Sequence, residues 1–387
     1  MNGEKMNGEK MNGEKKTPVR MSILGMGAIG SLYAKLIGSG QVPDMVLTAV
    51  TRMHPETAEA LKEVLPEEIR IFQEAEDLLE YDNLDAVLVC MPHDLHEPLV
   101  LKALEKGLAV FCDKPLGLTI GACGRMVKKA QETGNLLAVM MNQRTSPRHQ
   151  WLRDAVQSGQ YGALKRVNWI ITDWYRTDSY YRSGGWRTSW KRAGGGVLFN
   201  QAIHNLDLLQ WICGMPSKVQ AFCQEGKWHD LPVEDDVTAY FEFPKGATGV
   251  FVTSTGDAPG TNRLEISLEK AQILCENGKV MICELEVNER DFCRESPEGF
   301  AKPKGTWREV KLPEEKNAYV KMLENFAEAF LKGTPLTASG EEGCAGVRLA
   351  DGMYLSSWKK ELVDLSYEAE EFERAFWERC EGKDEGH

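Results

Sequence analysis

From residue 18 onward the chain alternates short apolar runs with segments of helical periodicity. "PVRMSILG", "MVLTAV", "DAVLVCMP", "LAVFC" and "NLLAVMM" are continuous apolar runs of strand length. Between them lie "GMGAIGSLYAKLIGSG", "PETAEALKEVL", "HEPLVLKALEKG" and "LTIGACGRMVKKAQETG". Pro55 suits a first helical turn and Gly107 a helix end. Strands apolar on both faces and separated by helices predict an α/β fold with a doubly wound parallel sheet. The pattern predicts a first domain over residues 18–144.

The second half has a different rhythm. "LKRVNWIITDWYR", "VQAFCQ", "DDVTAYFEFPKGATGVFVTST", "NRLEISLEKAQILCENGKVMICELEV" and "WREVKL" read as strands, several joined by turns such as "PKG" and "ENGK". Hairpins of this kind predict a large open sheet, mostly antiparallel, within an α/β domain over residues 145–387. Between the first two strands, "AGGGVLFNQAIHNLDLLQWICGMP" predicts an apolar helix with Asn200, His204 and Asp207 on one face, anchored by Ile203, Leu206, Leu209 and Ile212. "NAYVKMLENFAEAFLKG" predicts an amphipathic helix whose stripe is Tyr319, Met322, Leu323, Phe326 and Phe330. A further helix is expected over 341–360, then a charged helical tail that frays. The opening "MNGEKMNGEKMNGEKK" repeats one polar pentapeptide, and residues 1–17 are expected to be a disordered leader.

Composition narrows the function classes. The 387 residues carry 46 basic and 58 acidic side chains, a net charge of −12. That balance argues against nucleic acid as a partner and lends nothing to an anionic membrane surface. No apolar run approaches a membrane span, so a cytoplasmic protein is expected. The ten cysteines show no C-x-x-C spacing and read as buried thiols in a reducing compartment. His93 and His96 sit at i, i+3 in "CMPHDLHEP", but no third ligand is suitably spaced, and no metal is expected.

Five stretches carry candidate chemistry. "GMGAIG" follows a strand and opens a helix: Gly25 suits a tight turn, Gly27 close backbone approach to a pyrophosphate, and Gly30 close packing of helix on strand. Ala28 and Ile29 complete that loop, whose helix N-terminus would receive phosphates. After the second strand, Thr51 and Arg52 stand where an acid would bind a ribose hydroxyl, which favours NADP over NAD. Pro92, His93 and His96 follow another strand, and Asp113 with Lys114 follows a fourth, at strand ends that face a ligand crevice. "DWYRTDSYYRSGGWRTSW" gathers Trp174, Tyr175, Tyr180, Tyr181, Trp186 and Trp190 among arginines, as suits a sugar ring, a self-pinned loop or an oligomer interface.

In order and spacing, "GMGAIG", "CMPHDLHEPLVLKALEKGLAVFCDKPLG" and "GGGVLFNQAIHNLDLLQWICG" resemble the Gfo/Idh/MocA oxidoreductases, over residues 18 to about 360. The resemblance implies a Rossmann domain, then an α/β domain whose sheet forms a homo-oligomer interface. It implies hydride transfer between NAD or NADP and a secondary alcohol of a sugar, glycoside or cyclitol. Lys114 matches the lysine of the family's E-K-P motif, which bonds the substrate hydroxyl, and His204 matches its usual general base. Asn200 matches a position commonly filled by aspartate, and Asp113 replaces the usual glutamate. Asn200 would then orient ring or substrate without charge, and Asp207 would support His204 only if it points back. Trp174, Tyr175, Tyr181 and Arg144 are the remaining candidates for substrate contact. Two other readings remain open: a redox-neutral glycosidase or lyase with recycled cofactor, and a non-catalytic nicotinamide-binding regulator.

Overall fold

The computed structural model describes residues 17–183 and 185–384; the expected leader, apart from Thr17, lies outside them. Six strands form the first sheet: β1 (Val19–Leu24), β2 (Met45–Thr51), β3 (Arg70–Phe72), β4 (Ala86–Val89), β5 (Ala109–Cys112) and β6 (Leu137–Val139). All pair in parallel, in the order β3-β2-β1-β4-β5-β6. β4 and β5 are buried along their whole length, which is why their sequences read as unbroken apolar runs. The order reverses between β1 and β4, and a crevice opens beyond the strand ends at such a point. β3 and the helix Ala75–Leu79 escaped the pattern; β3 is three residues long with two exposed.

The second sheet has nine strands: β7 (Leu164–Ile171), β8 (Lys218–Glu225), β9 (Glu234–Glu242), β10 (Thr248–Ser254), β11 (Asn262–Leu268), β12 (Ala271–Glu276), β13 (Lys279–Leu285), β14 (Gly305–Glu309) and β15 (Val363–Asp364). Their order is β14-β13-β12-β11-β7-β10-β9-β8-β15, with only β7 and β10 parallel. Burial alternates along β9, so one face packs and the other is open. Phe222, Thr238, Val252 and Ile170 form one cross-strand row on the open face.

One helix joins the two halves. Gly340–Lys359 begins with a capping box in which Ser339 and Glu342 satisfy each other's backbone. From it, Asp351 accepts the N–H of Ile120 at 2.7 Å, and Ser356 accepts the N–H of Ala221 in β8 at 3.0 Å. Tyr354 stacks between Phe199 and Trp358.

Three sequence expectations need correction. The apolar helix is broken: Val197–Asn200 is one turn, and Ile203–Cys213 starts afresh after Gln201 and Ala202. Asn200 therefore does not share a helix with His204 and Asp207, although Ile203, Leu206, Leu209 and Ile212 are buried as expected. Phe330 is exposed on its helix, because Ala327 and Ala329 turn inward instead. The tail helix Ala369–Asp384 docks, with Phe372 and Phe376 continuing the aromatic stack from Trp358. None of the ten thiols forms a disulfide, and Cys293 is exposed. Among the described residues no helix is long and apolar enough to cross a membrane.

Candidate active site

A cleft of about 1480 Å³ runs from the end of β2 to the segment 174–187, which is room for a dinucleotide and a small substrate. At one end lies the glycine turn. Gly25 has φ +97°, and a Cβ there would stand 2.5 Å from the carbonyl oxygen of Cys90. A Cβ on Gly30 would lie 1.9 Å from the oxygen of Gly25, whereas one on Gly27 would meet nothing within 4 Å. So Gly25 and Gly30 are demanded by turn and packing, and Gly27 leaves open space. The helix Ala28–Gly38 starts here with no side-chain cap, so its first N–H groups remain available to an anion. These features fit a dinucleotide pyrophosphate.

Thr51 holds the turn in place by accepting the N–H of Gly25 at 2.8 Å. Ala28, Ile29, Arg52 and Pro92 line the same cleft. Glu74 and Glu76 line it too. Sequence reading found no carboxylate near Arg52, because these two follow the unrecognised β3, which pairs with β2 beside it.

Toward the middle, the Lys114 ammonium donates to the carbonyl oxygen of Asn200 at 2.7 Å. Burial pushes the lysine pKa down, and the neighbouring Asp113 carboxylate opposes that shift. Burial raises the Asp113 pKa, and Tyr33 donates to its carboxylate at 3.0 Å. His204 lies in the same cleft, with its Nδ1 buried and without a hydrogen-bond partner. Burial, then the Lys114 charge, holds its ring at about 3, so it is uncharged at neutral pH. Asn200 uses its amide N–H groups on the carbonyls of Arg187, Gly195 and Gly196. Its side chain therefore shapes the loop that presents its own carbonyl to Lys114.

That loop is held by a residue the sequence did not single out. Buried Glu234 accepts the N–H groups of Gly196 at 2.7 Å and Leu198 at 3.0 Å, and the Tyr354 hydroxyl at 2.8 Å. Burial raises its pKa to about 7. Glu234 reads as an ordinary strand residue in "VEDDV", and only tertiary contact brings it to the glycine loop.

The aromatic segment divides. Trp174, Tyr180 and Trp186 line the cleft, together with Arg176 and Arg187. Trp190 instead packs against Tyr354, Trp358 and Phe376. Tyr181 was expected at the substrate; it is buried with its hydroxyl donating to Thr255 at 2.8 Å, so it is turned away from the cleft. Tyr175 is 49% exposed and not part of the cleft wall.

Two more candidates are structural. Arg144, expected to touch substrate, is buried and forms a two-pronged ion pair with Asp207, at 2.8 and 2.6 Å. Asp207 is thereby committed and gives His204 no support. His96 places its ring nitrogens 2.8 Å from the carbonyl of Pro115 and 2.9 Å from that of Met91. It pins the loops after β4 and β5 together behind the cleft wall. His93 does reach the cleft, with Nδ1 2.8 Å from the carbonyl of Ala193 and its ring against Trp186. Among the described residues no cluster of three metal-ligating side chains occurs.

Comparison with known proteins agrees with this architecture. Inositol 2-dehydrogenase of Rhizobium meliloti is 25% identical over 353 residues, covering 90% of this chain and 99% of that protein. Myo-inositol 2-dehydrogenase of Thermotoga maritima is 24% identical over 355 residues, covering 90% and 98%. The WlbA dehydrogenase of Bordetella pertussis, solved with NADH and UDP-GlcNAcA, shares the fold with a TM-score of 0.74 at 23% identity, over 91% of this chain and all of that one. Residues 19–141 match the oxidoreductase family with an NAD-binding Rossmann fold, and residues 149–274 match the GFO/IDH/MocA C-terminal domain. With both halves matched in order, the chain belongs to the Gfo/Idh/MocA family of NAD(P)-dependent oxidoreductases.

Proposed function

We propose that this chain moves hydride between a nicotinamide dinucleotide and a secondary alcohol of a sugar- or cyclitol-type substrate. The observation that carries the reading is that Lys114 and His204 line one wall of the cleft that the glycine turn opens into, close enough for the lysine charge to act on the ring. Bound nicotinamide supplies the hydride acceptor or donor.

The chain's own groups handle the proton and the charge. Lys114 spends one N–H on Asn200 and keeps two for a substrate oxygen, where its charge stabilises alkoxide character. His204, neutral by burial, accepts the hydroxyl proton. Its low proton affinity belongs to a ring facing only Lys114; an oxygen gaining negative charge beside both groups raises it. Asn200 and Glu234 set the loop, and the aromatic rings of Trp174 and Trp186 exclude water. We read residues 18–144 as the cofactor unit and 145–387 as the substrate unit, cytoplasmic and paired with further copies through the open sheet face. Exposed Phe222, Ile170 and Tyr240 on that face support the pairing.

The test is absorbance near ~340 nm, the band of reduced nicotinamide, with NAD or NADP in excess and a panel of sugars and cyclitols. Sustained growth with any substrate supports the reading. A rise limited to one equivalent of protein replaces it with internal recycling. No change in either direction overturns it.

A further inference from the structure

Two guanidinium groups line the cleft beside Lys114 with no carboxylate to balance them. Arg187 lies 4.8 Å over the ring of Trp186 and 5.7 Å over that of Tyr180. Arg176 lies 5.1 Å over the same Tyr180 ring and 5.9 Å over that of Trp174. Among the described residues neither forms an ion pair. Arg187 donates no side-chain hydrogen bond there, and Arg176 donates only through Nη1, to the carbonyls of Trp174 and Tyr175. Neighbouring arginines differ: Arg182 has Asp178 at 4.0 Å and Arg192 has Asp94 at 3.4 Å. Carboxylates are therefore within reach of this segment but not of these two side chains.

Both groups belong to the reacting end of the cleft. Burial lowers the Lys114 pKa most, and the charges of Arg187 and Arg176 add to that shift. The carbonyl of Arg187 also accepts from the same Asn200 whose carbonyl holds Lys114. Among the described residues the one carboxylate lining the cleft beside Lys114 is that of Asp113, whose charge acts on Lys114 and not on the two guanidinium groups. The indole Nε1 of Trp174 is buried and without a partner. In a protein of net charge −12, this wall presents N–H donors and positive charge. Guanidinium groups stacked on aromatic rings are fixed in plane, and their free edges match the paired oxygens of a carboxylate or phosphate.

We infer that the substrate of this site is an anion, a sugar-type alcohol bearing a carboxylate or phosphate held by Arg176 and Arg187. This rests on reading the cleft as a dehydrogenase site, and it adds the charge of the substrate. An anion there also offsets the repulsion among the three cations.

The experiment is titration calorimetry on NAD-saturated protein with aldoses, their uronic acids and their 6-phosphates, run beside the turnover assay. At least one acid or phosphate binds about tenfold or more tightly than its neutral parent, and the preference shrinks as salt rises. R187Q, and separately R176Q, narrow that preference about tenfold while NAD still binds, which shows the variants folded. A carboxylate-only or phosphate-only preference identifies the group recognised. Anion-selective binding without turnover leaves this inference standing and defeats the dehydrogenase reading. Turnover of neutral sugars with no anionic member bound more tightly than its parent does the reverse. If R187Q weakens NAD binding and leaves the ligand preference unchanged, the guanidinium serves the dinucleotide and the inference is wrong.

Discussion

The ammonium of Lys114 is tied at 2.7 Å to the backbone carbonyl of Asn200, not to its side chain. A residue after a strand of the first sheet is thus oriented by a loop of the second half. That loop is itself held by the Asn200 amide and by Glu234. The position of the Lys114 ammonium is therefore sensitive to the conformation of residues 194–200.

Substitution of Asn200 by aspartate tests this arrangement. A carboxylate would face the carbonyls of Arg187, Gly195 and Gly196 with no hydrogen to offer. We expect a loss of about 1–3 kcal/mol in urea unfolding, with lower turnover. A stable, fully active N200D would show that the amide does not shape the loop.

K114M and H204N remove the two groups assigned to the substrate oxygen and its proton. Each is expected to lower kcat/KM by about 10²–10⁴, with the Kd for NAD changed only a few fold. Single-turnover kinetics beside a fluorescence titration of NAD separate the two effects. Near-native turnover in H204N would mean that another group takes the proton.

Arg144→Met leaves Asp207 as an unpaired buried charge. The expected cost is about 3–5 kcal/mol of stability, with KM unchanged in the protein that remains folded. A raised KM with unchanged unfolding would restore Arg144 to the substrate site.

Buried histidines and buried carboxylates contribute to the pH dependence of stability with opposite signs, as His204, His149 and Glu234 illustrate. His204 is held at about 3 and His149 at about 4, below the ordinary 6.5. Between about pH 4 and 6.5 the unfolded chain binds protons that the folded protein refuses, so stability rises with pH. Glu234, held at about 7 rather than 4.5, keeps a proton that the unfolded chain has lost. It makes stability fall as pH rises from about 4.5 to 7. Urea midpoints across this range should climb less steeply in H204N and more steeply in E234Q; equal slopes in all three proteins would refute both assignments.

Cofactor choice turns on the end of β2. Arg52 is the group proposed to favour a 2′-phosphate, while Glu74 and Glu76 line the cleft with it and carry the opposite charge. R52A should weaken NADP about tenfold relative to NAD, and E74Q should strengthen it. An unchanged NADP-to-NAD ratio in R52A would remove Arg52 from the phosphate contact.

Local pattern carried most of the fold. Buried parallel strands must be apolar on both faces, and a tight turn at Gly25 must be glycine, so both leave a mark in the residue order. Lys114 and His204 could be singled out as candidates because each adjoins such a mark: a strand end, and an apolar segment opened by three glycines. What failed depended on partners distant in sequence. Arg144 looks available until Asp207, 63 residues away, claims it. Tyr180 and Tyr181 are indistinguishable by type, and only the position of Thr255 decides which one turns inward. The glycine loop that precedes Asn200 is held by Glu234 and Tyr354, contacts made across the second sheet and the joining helix. Periodicity records which face a residue presents; it does not record which distant group satisfies a buried charge, and that pairing is settled only when the two halves close on each other.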